Sequence, residues 1–161
     1  MTLGRPALVD LSAYVSPDRI LFLEDIDKAG ALTRLAEASA QNDAVTEPAQ
    51  FMEAIFEREE VSSTGIGGGI AVPHAKLPTI TDFVISVGVS SSGIPFSAKD
   101  NEPVRILVMI AASDQQREAY LKVLATVAGR LKTPGVTDGI LAATTGAGVI
   151  AAFLGEQPHD R

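Results

Sequence analysis

A histidine set directly after a proline, and downstream of a run of glycines, is presented for chemistry. In this chain Gly65-Ile66-Gly67-Gly68-Gly69 runs through Ile70-Ala71-Val72 into Pro73-His74-Ala75-Lys76. Pro73 fixes its own φ and drives Val72 toward an extended backbone, so the imidazole of His74 projects from a stiff segment. Near neutral pH such a ring keeps a nitrogen lone pair. It can attack phosphorus, form a covalent phosphoramidate and divide one transfer into two easier ones. Gly65, Gly67, Gly68 and Gly69 allow successive backbone N–H groups to converge on an oxyanion, with the hydroxyls of Ser62, Ser63 and Thr64 beside them. Arg58, upstream at a predicted helix end, has the planar fork that clamps a phosphate. The three elements together suit phosphoryl relay.

Each has an ordinary reading as well. A glycine run is commonly a turn between strands. This one is not a Walker loop, because no Lys-Ser/Thr pair completes it, and Ile70 occupies the place of the last glycine of a dinucleotide fingerprint. A lone Arg58 would be a solvated residue pairing with Glu57 or Glu59, and a lone His74 a structural ring. What favours function is their concurrence within one short window.

Composition narrows the partners. The chain has 161 residues, 46% of them apolar, and a net charge of −7. That length fits one domain over residues 1–161, with a core from about 8 to 154 and a disordered tail over 155–161. The acidic balance argues against a nucleic-acid backbone or an anionic membrane as the main partner. No stretch approaches the roughly 20 apolar residues of a membrane helix, so no membrane insertion is expected. With no cysteine there is no disulfide framework or thiolate metal site, which is compatible with a reducing cytoplasm; with no apolar signal core over residues 1–10 either, a cytoplasmic location is expected. Neither a metal nor a cofactor is implied.

The elements that must hold the site alternate between strand and helix. Ile20-Leu21-Phe22-Leu23 reads as a short buried strand. Asp27 opens a helix over 28–40, with Ala31, Leu32, Leu35 and Ala36 on one face. A second helix starts at Glu47-Pro48, buries Phe51, Met52, Ile55 and Phe56, and closes in the charged run Glu57 to Glu60. Phe83 to Val89 and Val104 to Ala111 are strands, the latter central and covered on both sides. Ser91-Ser92-Gly93 reads as a turn to an antiparallel neighbour. Ser113 with Gln116 forms a capping box for a helix carrying Tyr120, Leu121, Leu124, Val127, Ala128 and Leu131 at helical spacing. Helical pieces over 137–143 and 147–154 complete an α/β fold, a mixed sheet of about five strands with helices on both faces.

Arg58-Glu59 followed by Ser63-Thr64-Gly65-Ile66-Gly67-Gly68-Gly69-Ile70-Ala71-Val72-Pro73-His74-Ala75-Lys76 resembles the signature of the IIA component of the phosphoenolpyruvate-dependent phosphotransferase system, in its fructose, mannitol and nitrogen-regulatory branch. Gly93-Ile94-Pro95-Phe96, Asp100 and Pro103-Val104 follow the same order, so the likeness spans roughly 8–154. The resemblance implies a mannitol-IIA-like fold. It also implies a phosphocarrier role rather than that of a stand-alone enzyme: His74 accepts phosphate from an HPr-like carrier and Arg58 steadies it. The phosphate then passes to a separate IIB acceptor or acts as a signal to a regulated partner protein. Where many members of that family carry a second histidine at the start of the long helix, this chain has Tyr120, either a site residue or a core aromatic. The absence of an attached permease favours the nitrogen-regulatory type over a fructose or mannitol transporter subunit. The alternative is a non-transferring interaction module. A homodimer is left open.

Overall fold

The computed structural model describes residues 9–98 and 100–155; the expected tail lies, beyond Gly155, outside the described residues. After two 3-10 turns, Leu11–Ala13 and Pro17–Arg19, the elements follow in order: β1 (Ile20–Phe22), α1 (Lys28–Ala40), α2 (Pro48–Val61), β2 (Gly65–Gly67), β3 (Ile70–Ala71), β4 (His74–Leu77), β5 (Val84–Ile94), β6 (Val104–Ser113), α3 (Arg117–Lys132), α4 (Val136–Ala142) and α5 (Gly146–Leu154). The sheet is mixed, in the order β1-β5-β6-β3-β2, with β4 also on β6. Among the described residues it has six strands rather than five, because the expected glycine loop is itself a hairpin of β2 and β3.

Local chemistry starts the helices where the pattern placed them. The Asp27 carboxylate accepts the Gly30 N–H at 2.8 Å and caps α1, which buries Ala31, Leu32, Leu35 and Ala36. Pro48 opens α2 at a position whose N–H has no helical partner in any case. The buried stripe of α2 is Phe51, Ile55 and Glu59, four residues apart. Within the charged run, Glu59 lies on the core face and is only 8% exposed, while Glu57 and Glu60 are exposed.

Strand β6 is the spine. It is buried from Ile106 to Ser113, pairing antiparallel with β5 on one edge and parallel with β3 and β4 on the other. Helices α1 and α2 cover one face around Leu35, Phe51, Ile55 and Leu107, while α3, α4 and α5 cover the other around Ile85, Val108, Val127 and Phe153. Fully burying each such side chain contributes about 1.5–3 kcal/mol.

Three local expectations are corrected. Ser91-Ser92-Gly93 does not turn the chain: β5 continues to Ile94 through an irregularity after Val89. The Glu24 carboxylate stabilises that course by accepting the Ser91 N–H at 2.9 Å and the Ser92 hydroxyl at 2.8 Å. Ser113 ends β6 rather than capping α3, which starts after Gln116; its hydroxyl accepts the Gln115 N–H at 3.1 Å. Leu121, expected in the buried stripe, is 58% exposed.

Candidate functional site

Strands β3 and β4 are one strand with a gap. Ala71 pairs with Leu107 and His74 with Ile110, so the register on β6 is the same on both sides of Val72-Pro73. Pro73 has no N–H to give and serves only as an acceptor, its carbonyl taking the Ile110 N–H at 2.9 Å. The Val72 N–H goes instead to the Thr64 carbonyl at 3.0 Å, and the Val72 carbonyl lies 2.7 Å from Nδ1 of His74. A carbonyl can only accept, so Nδ1 carries the ring proton and Nε2 presents its lone pair.

His74 is half-buried, and its ring faces α3, with the Tyr120 ring centroid 6.2 Å away at 53°. Lys76 shares this side of β4 and holds its ammonium 4.9 Å from the Tyr120 ring centre. Two clefts meet at His74. One, of about 350 Å³, is walled by Ser62 to Ile66, Val72, Leu124 and Ala128; the other, of about 570 Å³, by Ala54, Val61, Lys76, Leu77 and Tyr120. Arg58 borders both, reaching across from the last turn of α2, where Nη1 donates to the Ser62 carbonyl at 3.0 Å.

Burial pushes the His74 imidazolium to a pKa below its ordinary value; the bond to Val72 opposes this, and the Arg58 charge adds to it. The ring is thus neutral at neutral pH. Burial raises the Tyr120 phenol above its usual range against a smaller opposing effect of Arg58, so Tyr120 stays protonated and can donate a hydrogen bond. A consequence can be checked by following the ring signals against pH. His74 should titrate below the roughly 6.5 of a free histidine, and any reaction needing the neutral ring should persist through that pH and fall only at lower values. Because the unfolded chain takes up this proton first, stability conferred by the neutral ring is complete above the unfolded pKa. It declines as pH falls from there toward the lowered folded value.

The site residues named from sequence divide into two groups. His74, Arg58, Tyr120, Ser63, Thr64 and Gly65 lie on one or both clefts. Among the described residues neither cleft is lined by Gly67, Gly68 or Gly69. All three have positive φ and form the tip of the β2–β3 hairpin. The Gly69 carbonyl takes the N–H groups of Arg105 and Ile106, four residues and roughly 13 Å along β6 from the partner of His74. The Gly68 N–H donates to Asp100 at 3.0 Å. The expected nest of amides is therefore a turn. Nearer donors are also engaged: Ser63 Oγ donates to the Phe96 carbonyl and accepts the Gly65 N–H, both at 3.0 Å, and the Thr64 hydroxyl donates to Glu59. Gly65 is needed for space, since a Cβ there would lie 2.7 Å from that of Ala98.

Of the apolar residues that line the clefts, Ile66 and Val61 are exposed and Leu77 is half-buried. Among the described residues no group of three or more His, Cys, Asp or Glu side chains could hold a metal ion, and no helix is long and apolar enough to cross a membrane.

The family model described as "Phosphoenolpyruvate-dependent sugar phosphotransferase system, EIIA 2" matches residues 13–155. The chain belongs to this EIIA family. The "Nitrogen regulatory protein" of Escherichia coli K12 is 39% identical to it over 105 residues, 65% of this chain and 64% of that protein. A "PTS system fructose-specific EIIA component" of Haloferax volcanii is 29% identical over 138 residues, 84% of this chain and 89% of its own. This EIIA chain spans only 19% of the fructose-specific EIIABC component of Bacillus subtilis. The structure of nitrogen regulatory protein IIA-Ntr from Neisseria meningitidis superimposes with a TM-score of 0.76 at 21% identity, covering 83% of this chain and 91% of that one. That likeness shows the fold.

Proposed function

We propose that this EIIA is a phosphocarrier whose acceptor atom is Nε2 of His74. The observation that carries the reading is the 2.7 Å bond between Nδ1 and the Val72 carbonyl, which leaves the lone pair on the nitrogen able to receive phosphorus. In the transfer step that lone pair forms the N–P bond at Nε2 while the bond from phosphorus to the donor atom breaks, and the donor group departs with its electron pair. The ring then keeps the proton on Nδ1 and becomes cationic, and the Val72 carbonyl stabilises that charge. Arg58 neutralises the phosphoryl oxygens from the side. The donor is an HPr-like carrier, docking over the exposed Val61 and Ile66 that line the clefts.

The decisive experiment reconstitutes the system with phosphoenolpyruvate, its first enzyme and the cognate carrier, and measures intact mass. One acid-labile phosphoryl group on the chain is expected. No gain, with partners that phosphorylate a control EIIA, counts for the interaction module. For the onward step we take the regulatory branch, supported by the higher identity to the E. coli nitrogen regulatory protein. The likeness to a fructose-specific EIIA component over 138 residues supports the transporter branch as the second reading. Efficient passage of phosphate to a IIB acceptor would move the assignment to the transporter branch.

Tyr120 sets the rate in this reading. Its phenol can donate to a phosphoryl oxygen but cannot carry positive charge, so Tyr120→His should speed uptake about tenfold by single-turnover labelling. An unchanged rate would leave Tyr120 with a packing role only, and a slower one would mean that its phenol itself assists the transfer.

A further inference from the structure

Glu59 lies on the core side of α2, is 8% exposed, and is not used by the transfer step above. It has three partners. Lys28 of α1 pairs with it at 2.8 Å, the Thr64 N–H donates to its two oxygens at 3.2 and 3.3 Å, and the Thr64 hydroxyl donates to it as well. The chain of bonds then continues through Thr64: its carbonyl takes the Val72 N–H at 3.0 Å, and the Val72 carbonyl takes the His74 Nδ1–H at 2.7 Å. Val72 is the one residue between the β2–β3 hairpin and Pro73; Pro73 holds its backbone extended, and within that range no ladder bond to β6 fixes its carbonyl direction. That direction is set by the amide on the far side of Val72, and so by where Thr64 is held.

We propose that Glu59 is a positioning residue for the phosphoryl acceptor: by anchoring Thr64 it aims the Val72 carbonyl at Nδ1 and thereby selects the His74 tautomer with a free Nε2. The proposal rests on the phosphocarrier reading for its purpose, but not for its test. Glu59 does not contact His74 or the phosphoryl group; its charge also opposes the lowering of the His74 pKa, but the tautomer is set through Thr64 and Val72. Without the anchor, His74 behaves as an imidazole in water, sampling both tautomers, and the fraction of rings with a free Nε2 falls.

The test reads the tautomer directly. In full-length protein labelled with ¹⁵N-histidine, carrying His159→Asn so that one ring is observed, the imidazole ¹⁵N shifts at a pH where the ring is neutral report which nitrogen holds the proton. The unaltered site should show Nδ1–H almost alone. Glu59→Gln keeps the shape but removes the charge that holds Lys28 and strengthens the bonds from Thr64; it should bring the two tautomers to comparable populations and slow phosphoryl uptake about tenfold. Thr64→Val, which deletes only the hydroxyl bond and keeps the Lys28–Glu59 pair, should shift the tautomers in the same direction by less. Glu60→Gln, the same charge change at an exposed neighbour, should shift neither. If Glu59→Gln does not fold, Thr64→Val decides. Folded variants with the unaltered tautomer overturn the proposal, even if uptake is slowed. An unaltered protein with Nδ1–H dominant but no phosphoryl uptake leaves the positioning intact and removes the phosphocarrier reading.

Discussion

His74→Ala should take up no phosphoryl group, a loss of more than about 10⁴-fold in single-turnover labelling, on the scale seen when an activated nucleophile is removed. Among the described residues no other side chain offers an equivalent nitrogen. Tyr120, whose ring stands 6.2 Å from His74, cannot replace it, since burial raises the phenol further from ionisation. Ser63 and Thr64 already spend their hydroxyl protons on Phe96 and Glu59. Folding should be little affected. His74 is half-buried on a four-residue strand, its backbone pairing with β6 does not need the ring, and alanine keeps it, so unfolding stability should change by about 1 kcal/mol or less. Intact mass after reconstitution gives the first quantity and denaturant unfolding the second. Phosphate appearing on the variant at the rate of the unaltered protein would overturn the assignment of His74.

The strongly periodic elements were legible in the sequence because local signals and burial agree there. The Asp27 cap, the proline at the start of α2 and the apolar run of β6 all point one way, and the structure follows them. The site was legible as a set of residue types, and the clefts gather His74, Arg58 and Tyr120. What was not legible is which donors remain free. A glycine run has the same composition whether it forms a nest or a hairpin tip; the distinction lies in partners far along the chain, such as Asp100 for the Gly68 N–H. Glu59 was hidden for a related reason. In a run of four charged residues, only the four-residue spacing from Phe51 and Ile55 marks it as core-facing, and a buried carboxylate is expected only once its partner Lys28 is known. The extension of β5 through Ser91 and Ser92 likewise depends on Glu24, distant in sequence.

That reallocation of donors raises the burden on Arg58. Arg58→Ala should slow phosphoryl uptake about 100-fold, the effect of removing a preorganised donor from a transferring oxyanion. Its stability cost should be about 0.5 kcal/mol or less, because the contact it loses is one bond to the Ser62 carbonyl at an accessible helix end. A second effect must be separated from the first. The Arg58 charge also helps lower the His74 pKa, so the variant should titrate higher and hold more of its ring protonated as pH falls. Comparing rates well above the titration removes that contribution and leaves the loss of phosphoryl stabilisation alone. Arg58→Lys keeps a charge but not the planar fork, and should recover only part of the rate while restoring much of the pKa. Full recovery by lysine would mean that charge suffices and that no two-pronged contact forms. Loss of uptake in proportion to loss of folded protein would mean that Arg58 supports the helix end and not the phosphoryl group.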